Sequence, residues 1–413
     1  MAVRETQAAL VQAMEDLPVV DAHEHLPPEK ARVESPVDFA TLFSHYTQTD
    51  LKSAGMTPED YSRFQAPETD LDAKWEMFEP YWHSIRFGSY SRPALIAARE
   101  FYGCDDISRH TYRLLSERMR AANTAGIYKR ILQDRCNIRI CLTQIGAVPD
   151  DDSGMLAPLL PVGFLTGLRD RESAVSFGET HGVQVKDLAS YLDAMRAALE
   201  QWKAQGVVGV KMVSTHLGDP NHTDAERAFS ALMSGADQDY FVLHWFLHQE
   251  ALRMAGDLGL VVAVHCGIIW DNWNNFYENH PRNLIPILMK HRKTKFDIYH
   301  AGIPWPRDLG VIGKDFPNAY LNLCWCHIIS QRMTVSLLDE WLDMVPVHKI
   351  MGFGGDYHRP VEKVYGHLLM AKEDIARVLA GRIDDGLMTE KQALELAGQL
   401  LFDNPRDLYG LDV

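Results

Sequence analysis

Eight short apolar runs, rich in β-branched residues, punctuate the chain. They are LPVVDAH (17–23), NIRICLT (137–143), LLPVGFL (159–165), VVGVKMV (207–213), LVVAVHC (260–266), KFDIYHA (295–301), AYLNLCW (319–325) and KIMGFGG (349–355). Several are apolar at nearly every position, the pattern of parallel strands covered on both faces. Amphipathic stretches separate them, such as VKDLASYLDAMRAALEQWKAQG (185–206) and DYFVLHWFLHQEALRMAGDLG (239–259). Both end in glycine, a common helix stop. Strands alternating with helices eight times predict an α/β fold, a closed (β/α)8 TIM barrel, which takes about 250 residues. The remainder of the 413 residues has two homes. One is a long, largely helical insertion over about 27–130, expected to lie as a lid over the barrel mouth. It holds an aromatic segment (KWEMFEPYWHSIRFGSYSRP) and then a helical one (ISRHTYRLLSERMRAANTAG). The other is a set of C-terminal helices after residue 360. The chain is thus expected to form one barrel domain over 1–413. An open doubly wound sheet is the alternative, but no GxGxxG follows the first run, and GFGGD closes the last.

In a barrel of this kind the chemistry sits at the C-terminal ends of the strands, so the polar residues ending each run are the informative ones. The first run ends in His23-Glu24-His25, the fourth contains Lys211, and the fifth and sixth end in His265 and His300. The eighth ends at Asp356. Residues two apart on a strand share a face, so His23 and His25 can point together into the mouth. Imidazoles and a carboxylate converging there form a nitrogen–oxygen site for a divalent metal, zinc first and manganese as the alternative. Each residue alone has a plainer reading. His265 could be a core histidine, Lys211 a strand-end lysine reaching solvent, and Asp356 a helix cap. Five such placements in order favour the metal site.

The chain resembles the amidohydrolase superfamily, specifically its amidohydrolase-2 branch. That branch includes aromatic-acid decarboxylases and lactone hydrolases and is related to uronate isomerases. The resemblance rests on VVDAHEHL, VVAVHCGI, YHAGIPWPRDLG, FPNAYLNLCW, KIMGFGGDYHRP and the closing NPRDLYGL, in order across almost the whole chain. YSRPALIAAREFYG and NHPRNLIPIL are similar to the barrel domain fused to glutamine-synthetase-like proteins. The resemblance implies that His23, His25 and Asp356 bind metal, that His265 is a further ligand or lies beside the metal, and that Asp356 also acts as general base or acid. His300 would be a second-metal ligand or a proton donor behind the first. Lys211 would either be carboxylated and bridge two metals or, with the one metal usual in this branch, hold a substrate carboxylate; the one-metal form is favoured.

Further residues could shape a pocket. Arg86 and Tyr90, in HSIRFGSYSRP, lie in the insertion, where Arg86 would meet an acidic substrate or sit on a helical surface. Trp270 and Trp273, in GIIWDNWNN, could wall the pocket or simply pack. Cys324 and Cys326 could face one side as a metal pair, though buried apolar roles are commoner. His327, His358 and His367 have no definite place.

Composition narrows the partners. Hydrophobic residues are 46% and charged residues 23%, ordinary for a globular protein. The 41 Lys and Arg against 56 Asp and Glu leave a net charge of −15, which argues against nucleic-acid or membrane partners. A few pocket arginines can still take an acidic small molecule. The N-terminus lacks a signal-peptide core, and six scattered cysteines suggest reduced thiols, so a cytoplasmic protein, expected as a homo-oligomer, follows. The leading expectation is a metal-dependent hydrolase opening an amide, ester or lactone bond with metal-activated water. The alternative is a decarboxylase or a uronate-isomerase-like enzyme at the same site. A catalytically silent interaction module is a third reading, disfavoured by the full ligand set.

Overall fold

Each of the eight runs becomes a strand in the computed structural model, which describes residues 2–146, 148, 153–236 and 240–413. The strands are β1 (Val19–Glu24), β2 (Ile138–Gln144), β3 (Leu156–Pro161), β4 (Gly209–Met212), β5 (Val261–Val264), β6 (Phe296–Ile298), β7 (Ala319–Asn322) and β8 (Ile350–Met351). They pair in parallel, each with the next in sequence. The ring closes where the Ala22 amide of β1 donates to Phe353 O just past β8, at 3.1 Å. This is the (β/α)8 barrel that the pattern predicts. The third strand lies earlier than its apolar run suggests. Pro161 brings no N–H to the ladder, and Gly163–Thr166 already turns into helix.

Val20, Ala22, Leu142, Ala157, Leu159 and Ala263 help fill the barrel interior with small and branched side chains. A larger apolar layer lies between the barrel and the surrounding helices. The amphipathic stretches form the helices Leu188–Ala204 and Tyr240–Asp257. The first is fixed at its start by Asp187, whose carboxylate accepts the Ser190 amide in a capping box.

Between β1 and β2 the chain builds a helical layer with its own core, gathered from residues 37–119. The aromatics of the sequence are that core. Phe39 packs edge-on against Phe64 and Phe78, while Phe64 and Phe78 stack at 5.3 Å. Arg32, buried at the entry to this layer, fastens it to the barrel. Its guanidinium donates to Glu362 Oε1 at 2.8 Å, Asn123 Oδ1 at 2.5 Å and Arg359 O at 2.9 Å. Glu362 opens the long helix Glu362–Asp384 and also accepts the Tyr102 hydroxyl at 2.6 Å.

The closing NPRDLYGL segment reaches back into the barrel. Asn404 donates to Val347 O and Ile350 O, and the Tyr409 hydroxyl donates to buried Asp297 at 2.8 Å. Among the described residues no helix is long and apolar enough to cross a membrane.

Candidate metal centre and substrate cavity

The strand ends meet in a cavity of about 660 Å³, lined by His23, His25, Lys211, His265 and Asp356 among others. On β1, Val20 and Ala22 already face the interior, so strict alternation would turn His23 away. The pairing of β1 with β2 slips between Asp21 and Glu24 instead, and both histidines come to the cavity side. Their rings lie 4.8 Å apart, edge to face. Both Nε2 atoms approach Asp356 Oδ1, His23 at 3.2 Å and His25 at 3.3 Å.

Asp356 gets there through a strained turn. Its φ is +60°, a left-handed backbone that non-glycine residues seldom adopt, and His300 and Trp325 share that conformation at the ends of β6 and β7. The two glycines before Asp356 are required by crowding. A Cβ on Gly355 would stand 2.0 Å from Glu24 Oε1, and one on Gly354 would stand 2.5 Å from Cys324 Cβ. The GFGGD motif is therefore how β8 brings a carboxylate against β1.

His23, His25 and Asp356 offer ligand atoms within 4.8 Å of one another, and the buried Asp356 carboxylate faces these imidazoles and the Tyr46 hydroxyl. Burial holds His23 well below the usual histidine range, so it stays neutral with a lone pair to give. Burial by itself would raise the Asp356 carboxyl, yet the adjoining imidazoles, His23 foremost, keep it well below the usual carboxylate range. Two imidazoles and an anionic oxygen form a donor set that suits a divalent ion with open positions.

His265 lines the same cavity but stands outside this trio, beside the three donors rather than among them. Its Nε2 must carry hydrogen to donate to Ile268 O at 2.7 Å, which leaves Nδ1 as its lone pair. That lone pair faces His300 Nε2 at 3.0 Å and accepts its proton. His300 Nδ1 in turn can accept from the Cys324 thiol at 3.4 Å, and it lies 3.7 Å from Asp356 Oδ2. With both nitrogens committed, His265 braces the site. His300 is wholly buried, does not line the cavity, and links His265 to the Asp356 side.

Lys211 points inward from β4, 3% exposed, with its ammonium 4.0 Å from the centroid of the Tyr299 ring. Burial lowers it to about 8, partly offset by Asp356, Cys324 and Asp297. No carboxylate lies within ion-pair distance of it among the described residues. A cavity-facing cation held by a ring face is available to an anion.

Other expectations change. Arg86 does not reach the cavity; its guanidinium pairs with Asp106 at 3.3 Å and lies over Trp82 and Phe87. The helix Leu71–Ile85 ends just before it. Tyr90 is one layer back, parallel to the Trp325 ring, with Tyr46 between it and the cavity. Trp270 does line the cavity, whereas Trp273 is fully exposed. Cys324 and Cys326 are buried and free, and Cys326 donates to Cys324 O, so they are no metal pair. His327 pairs with buried Asp374, and His367 braces Gly355 O.

Pattern reading missed the walls that the insertion contributes: His45, Tyr46, Gln48 and Gln65, together with Arg359 beyond β8. Burial, with the Asp356 charge beside it, pushes the Tyr46 hydroxyl far up, so it remains a proton donor. Arg359 has no carboxylate partner among the described residues. Its proximity to Asp356 in GDYHRP was the one available signal.

Comparison with known proteins gives the family and supports the fold. The amidohydrolase family model matches residues 182–411, more than half of the chain. A uronate isomerase of Nostoc punctiforme is 21% identical over 96% of this chain and 93% of its own length. That of Brucella suis is 25% identical over 99% and 97%. Among solved structures, uronate isomerase from Thermotoga maritima has a TM-score of 0.80 at 17% identity, covering 98% of this chain and 97% of its own. A putative metal-dependent hydrolase from Lactobacillus casei has a TM-score of 0.66 at 17% identity, with 97% of each chain covered. From the barrel, the strand-end histidines and these matches, the chain belongs to the amidohydrolase superfamily, in its uronate-isomerase-related branch.

Proposed function

We propose that this protein is a metal-dependent isomerase of a uronate, a sugar acid, moving a proton between adjacent carbons. The observation that carries the reading is the end-to-end match to curated uronate isomerases, at 96–99% of this chain. Hydrolysis, the first expectation from sequence, has less behind it, since these relatives matched end to end are isomerases.

His23, His25 and Asp356 would hold a divalent ion, which when bound polarises substrate oxygens. Asp356 Oδ1 faces the two imidazoles, which leaves Oδ2 to take a proton from the carbon beside the carbonyl. The electron pair released forms an enediol as the carbonyl oxygen gains a proton from a donor such as Tyr46. Return of the carbon proton to the neighbouring carbon, with loss of the other hydroxyl proton, places the carbonyl one position along. No atom is gained or lost. Lys211 supplies the cation on this cavity for the carboxylate of the reacting uronate.

The test is incubation of metal-loaded protein with D-glucuronate and D-galacturonate, read by proton NMR. The expected result is ketose formation with solvent deuterium entering the carbon chain. Opening of lactones or amides with no ketose from either acid would overturn the reading.

The Lys211 cation gives a pH dependence. Its ammonium is present below about 8 and lost above it, so KM for a uronate should rise as pH climbs through 8 while metal content stays constant. Lys211→Met should raise KM by about 10- to 100-fold at neutral pH and flatten that rise, as expected for loss of a charged hydrogen bond. A pH-independent KM in the parent enzyme would remove Lys211 from substrate binding.

A further inference from the structure

We propose that a second hollow beside the active cavity is an anion subsite, which receives the distal acidic unit of a substrate longer than a single uronate. This deepens the uronate reading and rests on it.

The hollow measures about 470 Å³ and shares Gln65 and Arg359 with the active cavity. Those two side chains are the common wall, and neither is buried. The active cavity, at about 660 Å³, is already within the range that holds a whole drug-sized ligand. A six-carbon acid has no need of the neighbouring space.

Its walls are built rather than left open. Asn123 donates to Val33 O at 3.0 Å and Ser35 O at 3.2 Å, while its own oxygen is held by Arg32. Lys74 is neutralised by Asp38 at 2.7 Å. Each of these groups is fixed before any ligand arrives, which lowers the entropy cost of binding.

The charge left over is positive. Arg120 and Arg359 both line the hollow, and neither has a carboxylate partner among the described residues. Glu34 is the opposing charge on the rim. In a chain of net charge −15, two unpaired guanidinium groups facing one space mark a place for an anion. Guanidinium forks match carboxylates in two-point contact. The ligand class is therefore a uronate bearing a further acidic residue, with the reacting end among His23, His25 and Asp356. The bond between the two units stays intact.

The experiment is calorimetric titration of zinc-supplemented protein at low salt with galacturonate and, separately, digalacturonate. The dimer should bind at least about tenfold more tightly than the monomer, a gain of about 1.4 kcal/mol. Arg120→Glu lies on an exposed helical position and should remove that gain while leaving galacturonate affinity unchanged. Glu34→Gln should do the reverse and tighten the dimer, a pair of opposite effects that altered folding would not produce. Galacturonate binding with no gain for the dimer, or a gain that survives Arg120→Glu, overturns the subsite and leaves the uronate reading standing. No binding of either acid overturns both.

Discussion

Replacing His23 and His25 together by alanine is expected to strip the protein of bound metal and reduce turnover by at least about 10³-fold, since several kcal/mol of charge stabilisation goes with the ion. The two imidazoles supply two of the three donors within 4.8 Å, and Asp356 alone is a poor site for a divalent ion. The fold should survive, because both side chains end a strand and face the cavity rather than the apolar layers around it. The measurement is metal content by mass spectrometry on the parent and the double variant, with circular dichroism as the check on folding. The parent should carry about one ion per chain, the number that three converging donors suit. Full occupancy in the double variant would mean that the metal sits elsewhere. Two ions in the parent would bring Lys211 and His265 into the coordination sphere and favour hydrolysis again.

Arg32→Met is expected to be the most destabilising single change outside the apolar core, at about 3–5 kcal/mol. Arg32 and Glu362 are both essentially inaccessible, so removing the arginine leaves a carboxylate buried without its counter-charge. Arg32 is also the point where the entry to the insertion, Asn123 beyond its last helix and the Arg359 segment meet. Denaturant unfolding of Arg32→Met and of the double change Arg32→Met with Glu362→Leu would separate the two effects. The double variant should recover much of the loss, because no charge is then stranded. A loss below about 1 kcal/mol in the single variant would show that the insertion is held by its apolar contacts alone.

Much of this molecule was legible along the chain because local rules coincide with the global result. Continuous apolar runs separated by amphipathic helices are buried on both faces only as parallel strands between those helices, which led directly to the barrel and to all eight strands. His23, His25, Lys211 and Asp356 were found for the same reason, since a parallel barrel presents strand ends at one face. The slip in β1 that turns His23 inward left no trace in the pattern. Nor did the hydrogen-bond chain that commits both nitrogens of His265, which depends on Ile268 and His300 arriving from separate directions.

The insertion marks the boundary most clearly. Its aromatic composition announced a packed layer, and that layer exists, but composition does not say which edge of it meets the barrel. Arg86 stood out as an arginine among aromatics, yet it does not line the cavity and pairs with Asp106. His45, Tyr46 and Gln65 carried no periodic or motif signal and form the cavity wall. The sequence by itself determined the barrel and the strand-end residues, because each follows from periodicity or position along one strand, and its motifs carried the family resemblance. Only the tertiary structure decided which insertion side chains face the metal donors and that a second hollow lies across Arg359. Those are contacts between segments far apart in the chain, set by how two separately packed cores dock.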